Sequence, residues 1–323
     1  MSEFADELIA EIKAKGGITV HDYMARCNAH YYATRDPLGK DGDFTTAPEI
    51  SQIFGELIGV WCMDLWTRAG APDDIALVEL GPGRGTLMAD LLRAVPKLAA
   101  KAKVHFIETS PALRRAQAER VPRATWHDDI DTVPADRPFM LIANEFFDAL
   151  PILQYVGDAE RMISGGRFEP NGDVTEERCL AATDIMAAIA ARLANSGGAA
   201  LVIDYGYTGG ETGDTLQAVK GHEHVGPLSA PGESDLTAHV DFHALQRAGK
   251  TARGHGPTTQ AAFLSALGIG LRAEALMQRA SEKERDDIAR AVHRLTAPTE
   301  MGALFKVMAL TGRNWPAPAG FPA

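Results

Sequence analysis

The chain has 323 residues, 46% apolar and 23% charged, with 43 acidic against 32 basic side chains and a net charge of −11. Such a mix buries a sizeable core, as one large α/β domain with extensions or two modest ones, and excludes wholesale disorder. The acidic balance argues against nucleic acid as a partner, because a phosphate backbone repels it, and leaves a basic protein or peptide open. Cys27, Cys62 and Cys179 lie far apart without C-x-x-C spacing, so neither a disulfide framework nor a thiol zinc site is expected. Glu3, Asp6, Glu7 and Glu11 fit neither a secretory signal nor a mitochondrial presequence. No apolar run is long enough for a membrane span, so a cytoplasmic protein without membrane insertion is the expectation.

Residues 1 to about 15 read as a helix stopped at Gly16 and Gly17, and 18 to 29 as a second. A turn-rich loop, 36–43, follows. Ile50, Ile53, Phe54, Leu57, Ile58 and Trp61 recur at steps of three and four and line one face of a helix. Thr46 and Glu49 have capping-box spacing at its start, with Pro48 in the first turn. From Ala71 onward strands and helices alternate. Strands are predicted at 76–80, 104–108, 124–126, 139–143, 200–204 and 304–310. Helices are predicted at 86–95, from Pro111 behind the N-cap Ser110, and at 184–195, 259–267 and 282–295. This alternation predicts an α/β fold, a mostly parallel doubly wound sheet with helices on both faces. Residues 1–70 read as an N-terminal helical extension with a lid loop. Residues 71–323 read as the core, with a substrate-side insert at about 206–256.

The strongest local signal is the run Glu79-Leu80-Gly81-Pro82-Gly83-Arg84-Gly85-Thr86, directly after a buried strand and before a helix. Alternating glycines let the backbone turn sharply and approach a ligand, which sits beyond the carboxyl ends of the strands. No phosphate-loop lysine is present, and Thr86 stands where a dinucleotide fingerprint needs its third glycine. The remaining pattern, acid-x-G-x-G-x-G, suits S-adenosylmethionine, with Gly81, Gly83 and Gly85 against its amino-acid end. Glu108 ends the next strand and can accept both ribose hydroxyls. Asp128 or Asp129, after the third strand, can accept from the adenine amino group.

Together with the runs Gly42–Ser51, Asn144–Pro151, Asp235–Phe242 and Met301–Val307, this loop resembles the MidA-like family of class I S-adenosylmethionine-dependent methyltransferases. That family includes the mitochondrial complex I assembly factor that methylates an arginine in a complex I subunit. The resemblance spans roughly Ile18 to Leu310. It implies S-adenosylmethionine as cofactor and a protein substrate with an acceptor arginine, with a complex I subunit as the candidate partner. It also places Thr45 and Thr46 in a lid over the cofactor and Glu49 with the catalytic acids. Two features depart from the pattern: His30 precedes Tyr31 and Tyr32, and the segment 155–182 is short, with Glu177-Arg178-Cys179-Leu180 at its end.

Asn144-Glu145-Phe146-Phe147-Asp148 leaves a strand on the crevice side. A planar guanidinium with five donors is gripped by carboxylates, so Glu145 and Asp148 are the expected clamp, with the phenyl rings stacking on it. Asn144 is expected to touch cofactor or substrate. The bland alternative makes Asp148 the cap of a helix from Ala149. Histidines 222, 224, 239 and 243 lack metal-site spacing, so no metal is expected. Two functional alternatives remain at this stage: N- or O-methylation of a small molecule, and a non-catalytic assembly chaperone that keeps the cofactor pocket as a scaffold.

Overall fold

The computed structural model describes residues 2–34, 46–209 and 213–322. Among them, eight strands form the central sheet: β1 (Ile75–Leu80), β2 (Ala102–Ile107), β3 (Thr125–His127), β4 (Phe139–Asn144), β5 (Gly198–Tyr207), β6 (Val240–Asp241), β7 (Arg253–Thr259) and β8 (Phe305–Thr311). Their order is β7-β8-β5-β4-β1-β2-β3, with β6 added to the end of β5. The pairs from β3 to β5 are all parallel, and β8 alone runs antiparallel to both its neighbours. The α/β, mostly parallel, doubly wound arrangement expected from the alternation is therefore present.

Its cause is visible in the strands themselves. Every residue of β1 and β4 is buried, so both faces of the sheet are covered. Alternate side chains of β1 feed two cores. Ile75 and Leu77 pack with the helices Gln52–Arg68 and Thr86–Ala94, while Ala76, Val78 and Leu80 pack with Leu180–Ser196 and Phe242–Ala248. A third core joins the helices Glu3–Lys15 and Val20–Thr34 to two small antiparallel sheets. Leu8, Ile12, Tyr23 and Met24 meet Ile163, Ala218 and Leu236 there.

Several boundaries differ from the sequence expectation. The second helix is preceded by the strand Ile18–Thr19, which pairs with Met162 and Ile163, and it runs on to Thr34. Residue 70 is not a packing boundary, because Ile53, Phe54, Leu57, Ile58 and Trp61 belong to the same core as β1. The insert is smaller and shared: 217–225 and 235–237 form one three-stranded sheet, while β6, the helix Phe242–Ala248 and β7 belong to the main body. The apolar face at 50–61 is split into two helices, Ala47–Ile50 and Gln52–Arg68, with Ser51 capping the second by accepting from the Ile53 N–H at 3.2 Å. The capping box does not form, since the Thr46 side chain makes no capping bond. Glu49 turns instead to a tertiary partner described below.

Candidate functional site

The strand order reverses between β1 and β4, and open α/β sheets bind ligands at that switch point, beyond the carboxyl ends of the strands. A cavity of about 440 Å³ lies there. Its lining follows the strand order, with Asp128 after β3, Glu108 after β2, Glu79 and Gly81 at β1, and Asn144 and Glu145 at β4. Neighbouring strands are about 4.8 Å apart, so the acidic groups are spread over roughly 14 Å. Asn28 and Tyr32 of the helix Val20–Thr34, with Thr46 and Glu49, complete the wall.

Gly81, Gly83 and Gly85 have φ of +57°, +53° and +78°, the left-handed region that a side chain strains. Gly81 and Gly83 line the cavity, and a Cβ on Gly81 would sit 3.0 Å from Phe146. Gly85 is the N-cap of the helix Thr86–Ala94 and faces Gln117, not the cavity. Thr86 lines the cavity and donates to Glu49 Oε1 at 2.5 Å, so the glycine loop and the short helix Ala47–Ile50 are joined there.

Glu79 was visible in the sequence only as part of the loop pattern, yet it is the most telling group. It is 3% exposed, burial pushes its carboxyl far above the usual range, and Oε2 has no partner among the described residues. A charge inside the otherwise apolar run Ile75–Leu80 was the signal that could have marked it. Beside it, Asn144 Oδ1 is equally unpartnered, its Nδ2 donating to Glu145 Oε1 at 3.1 Å. Glu108 is held by the Ser110 N–H at 2.8 Å on Oε1 and by Gln117 Nε2 at 3.3 Å on Oε2, which leaves further lone pairs free. Asp128 accepts from Arg114 at 2.6 Å at the exposed rim. Asp129 is absent from the lining: it caps the turn Ile130–Thr132 by accepting from the Asp131 N–H at 2.9 Å.

The Asn144–Asp148 turn is bent by Glu145, whose φ is +51°, and by Asp204 on β5. Asp204 is fully buried, and its Oδ2 collects the N–H groups of Phe146, Phe147 and Asp148 at 3.0–3.3 Å. That winding separates the expected clamp. Glu145 faces the cavity, accepting from the Ala47 N–H at 3.2 Å, and burial with Asp148 nearby pushes its carboxyl up to about 8. Asp148 is 6% exposed and does not line the cavity. Burial pushes its carboxyl up to about 6, and its Oδ1 has no partner among the described residues. It caps no helix either, since none follows at Ala149. Phe146 lines the cavity while Phe147 is core. Thr46 and Glu49 are in the wall, and Thr45 lies outside the described residues, as does most of the expected lid loop.

These groups fit S-adenosylmethionine. An unpartnered buried carboxyl beside a left-handed glycine loop suits the ammonium of an amino-acid end. A half-buried carboxyl just beyond the next strand suits a vicinal diol.

Comparison with known proteins agrees with this fit. Residues 57–166 and 160–258 match the model of a family described as S-adenosyl-L-methionine-dependent methyltransferases. The chain is 36% identical to the protein arginine methyltransferase NDUFAF7 of Xenopus laevis, over 93% of this chain and 82% of that one. It is likewise 36% identical to the human protein of that name, over 94% and 82%, and 34% identical to the Drosophila melanogaster homolog, over 95% and 84%. A Burkholderia thailandensis protein solved with S-adenosyl-homocysteine bound superposes with a TM-score of 0.81 at 27% identity, over 98% of this chain and 93% of that one. The named relatives are mitochondrial proteins, which overturns the cytoplasmic expectation. That expectation rested on acids at the N-terminus and on the lack of a long apolar run. In the structure those acids belong to a packed helix, Glu3–Lys15, with Ala5, Leu8 and Ile12 buried. Among the described residues no helix is long and apolar enough to cross a membrane.

Proposed function

The chain belongs to this family of S-adenosylmethionine-dependent methyltransferases, and from that we propose that it methylates an arginine nitrogen of a protein partner. The bound cofactor supplies a methyl group on a sulfonium, already activated for in-line displacement. The protein supplies position and charge. Glu79 and the glycine loop hold the amino-acid end, Glu108 the ribose, and Asp128 the adenine side. At the β4 end, Glu145 and the free Oδ1 of Asn144 receive the acceptor.

The observation that carries the arginine reading is the acceptor end itself. It presents a half-buried carboxyl and an amide oxygen without a partner among the described residues, both acceptors once the carboxyl is ionised, to a group rich in donors. An arriving guanidinium draws the Glu145 carboxyl down from about 8 and ionises it, forming the charge-assisted pair only when the acceptor is in place. Asp148 acts from behind as a buried negative neighbour of Glu145. The partner we propose is a subunit of respiratory complex I, a reading supported by the family resemblance, while the names of the relatives support a protein arginine as acceptor. The helix Val20–Thr34 forms the substrate-side wall and is tied to the strand Asp235–Thr237 behind it. Asn28 donates to the Leu236 carbonyl at 2.8 Å, and Tyr32 donates to Asp235 at 2.8 Å.

The test is transfer of labelled methyl groups by the purified protein into a mitochondrial or bacterial membrane extract, with the acceptor atom found by mass spectrometry. Label on an arginine nitrogen of one polypeptide, lost when that arginine is replaced by lysine, is the expected result. Label on a lysine, an oxygen or a small molecule refutes the proposal.

A further inference from the structure

Gln117, on the helix Pro111–Arg120, is fully buried and lines no part of the cavity, yet every hydrogen-bonding group of its amide has a partner. Its Oε1 accepts from Trp126 Nε1 at 2.8 Å. Its Nε2 donates to the Gly83 carbonyl at 2.7 Å and to Glu108 Oε2 at 3.3 Å. An indole N–H can only donate, so it admits the amide oxygen and rejects the amide nitrogen. Trp126 therefore sets which way the amide points, and with that both Nε2 hydrogens are aimed at the cofactor side.

We infer that Trp126 and Gln117 form an orienting pair that positions the glycine loop and the ribose acid as one unit. Gln117 is a positioning residue for cofactor binding, and Trp126 fixes its orientation. With the Gly83 carbonyl held toward the helix, the loop is set in its left-handed turn. With Ser110 on one oxygen and Gln117 on the other, the plane of the Glu108 carboxylate is fixed. One lone pair on each oxygen remains for a diol. The Gln117 donor, with the Ser110 N–H, also pulls the Glu108 carboxyl down against the upward push of burial. One buried amide thus couples the cavity walls beyond β1 and β2 and is itself held from β3. This inference rests on the proposed role of Glu108 at the ribose.

The experiment is calorimetric affinity for S-adenosylhomocysteine between pH 5 and 8 in the parent, Gln117→Met, Trp126→Phe and Glu108→Ala. Methionine keeps the length of glutamine and removes the amide. Affinity is expected to fall roughly tenfold in Gln117→Met, the scale of one hydrogen bond to a charged group. The pH at which binding is lost on acidification should move upward, because Glu108 loses one of the donors that oppose the upward push of burial. Trp126→Phe leaves the amide free to turn, and the same shift should appear with smaller size. A loss of affinity equal at every pH reports packing alone and overturns the inference, as does parental behaviour in both variants. Parental affinity in Glu108→Ala refutes the ribose role and the pair's role with it. A loss in Glu108→Ala beside an unshifted Gln117→Met refutes only the orienting pair.

Discussion

Replacing Glu79 with glutamine should weaken the cofactor and strengthen the empty protein, two effects of opposite sign from one atom. The Glu79 carboxyl is buried with Oε2 unpartnered, and desolvation raises its pKa well above the carboxylate range. A group raised in the folded state contributes stability that is complete below its unfolded value and is lost as pH rises through the folded one. The empty protein thus loses stability as pH rises above the unfolded carboxyl range, and the amide removes that titration. In the complex the same carboxyl meets an ammonium, a charge-assisted hydrogen bond of about 1.5–3 kcal/mol. Glu79→Gln should therefore bind S-adenosylhomocysteine roughly ten- to a hundredfold more weakly. 5′-Methylthioadenosine, which has the nucleoside but no amino-acid end, should bind as in the parent. Thermal unfolding from pH 6 to 9 should show the empty variant losing less stability with rising pH than the parent. Equal weakening of both ligands would remove Glu79 from the amino-acid end. A variant as pH-sensitive as the parent would show that the carboxyl is not the titrating group.

Gly83→Val places a branched side chain at φ +53° in the loop and should lower S-adenosylhomocysteine affinity at least tenfold, by calorimetry, in a protein that still unfolds cooperatively. Asp204→Ala leaves the N–H groups of Phe146, Phe147 and Asp148 without their shared acceptor, and should cost about 1–3 kcal/mol of stability by denaturant unfolding while loosening the Glu145 turn. Because the Glu145 carboxyl is protonated below about 8, kcat/KM for the acceptor should rise with pH toward that value, and the rise should disappear in Glu145→Gln, whose S-adenosylhomocysteine affinity stays near parental.

The parts of the fold that one stretch of chain decides were readable in the sequence. The apolar runs of β1, β4 and β5 and the Ser110-Pro111 helix start came from short-range rules, and the structure keeps them. What escaped depends on partners far along the chain. The strands between Leu153 and Arg178 are two to four residues long, too short for an alternation to register, and one of them pairs with Ile18–Thr19. Thr46 and Glu49 satisfy a local capping rule, but Thr86, 37 residues away, takes the Glu49 carboxylate instead. The site shows the same division. Its acids stand at strand ends where the sequence locates them, but which of them faces the cavity is decided elsewhere. Asp148 is turned inward by Asp204, 56 residues on, while Glu145 is turned outward by its own left-handed backbone. Glu79 went unassigned because a carboxyl in the middle of a buried strand reads as part of a motif until its neighbours are known. Only then does the absence of a partner for Oε2 among the described residues point to a carboxyl kept for a ligand.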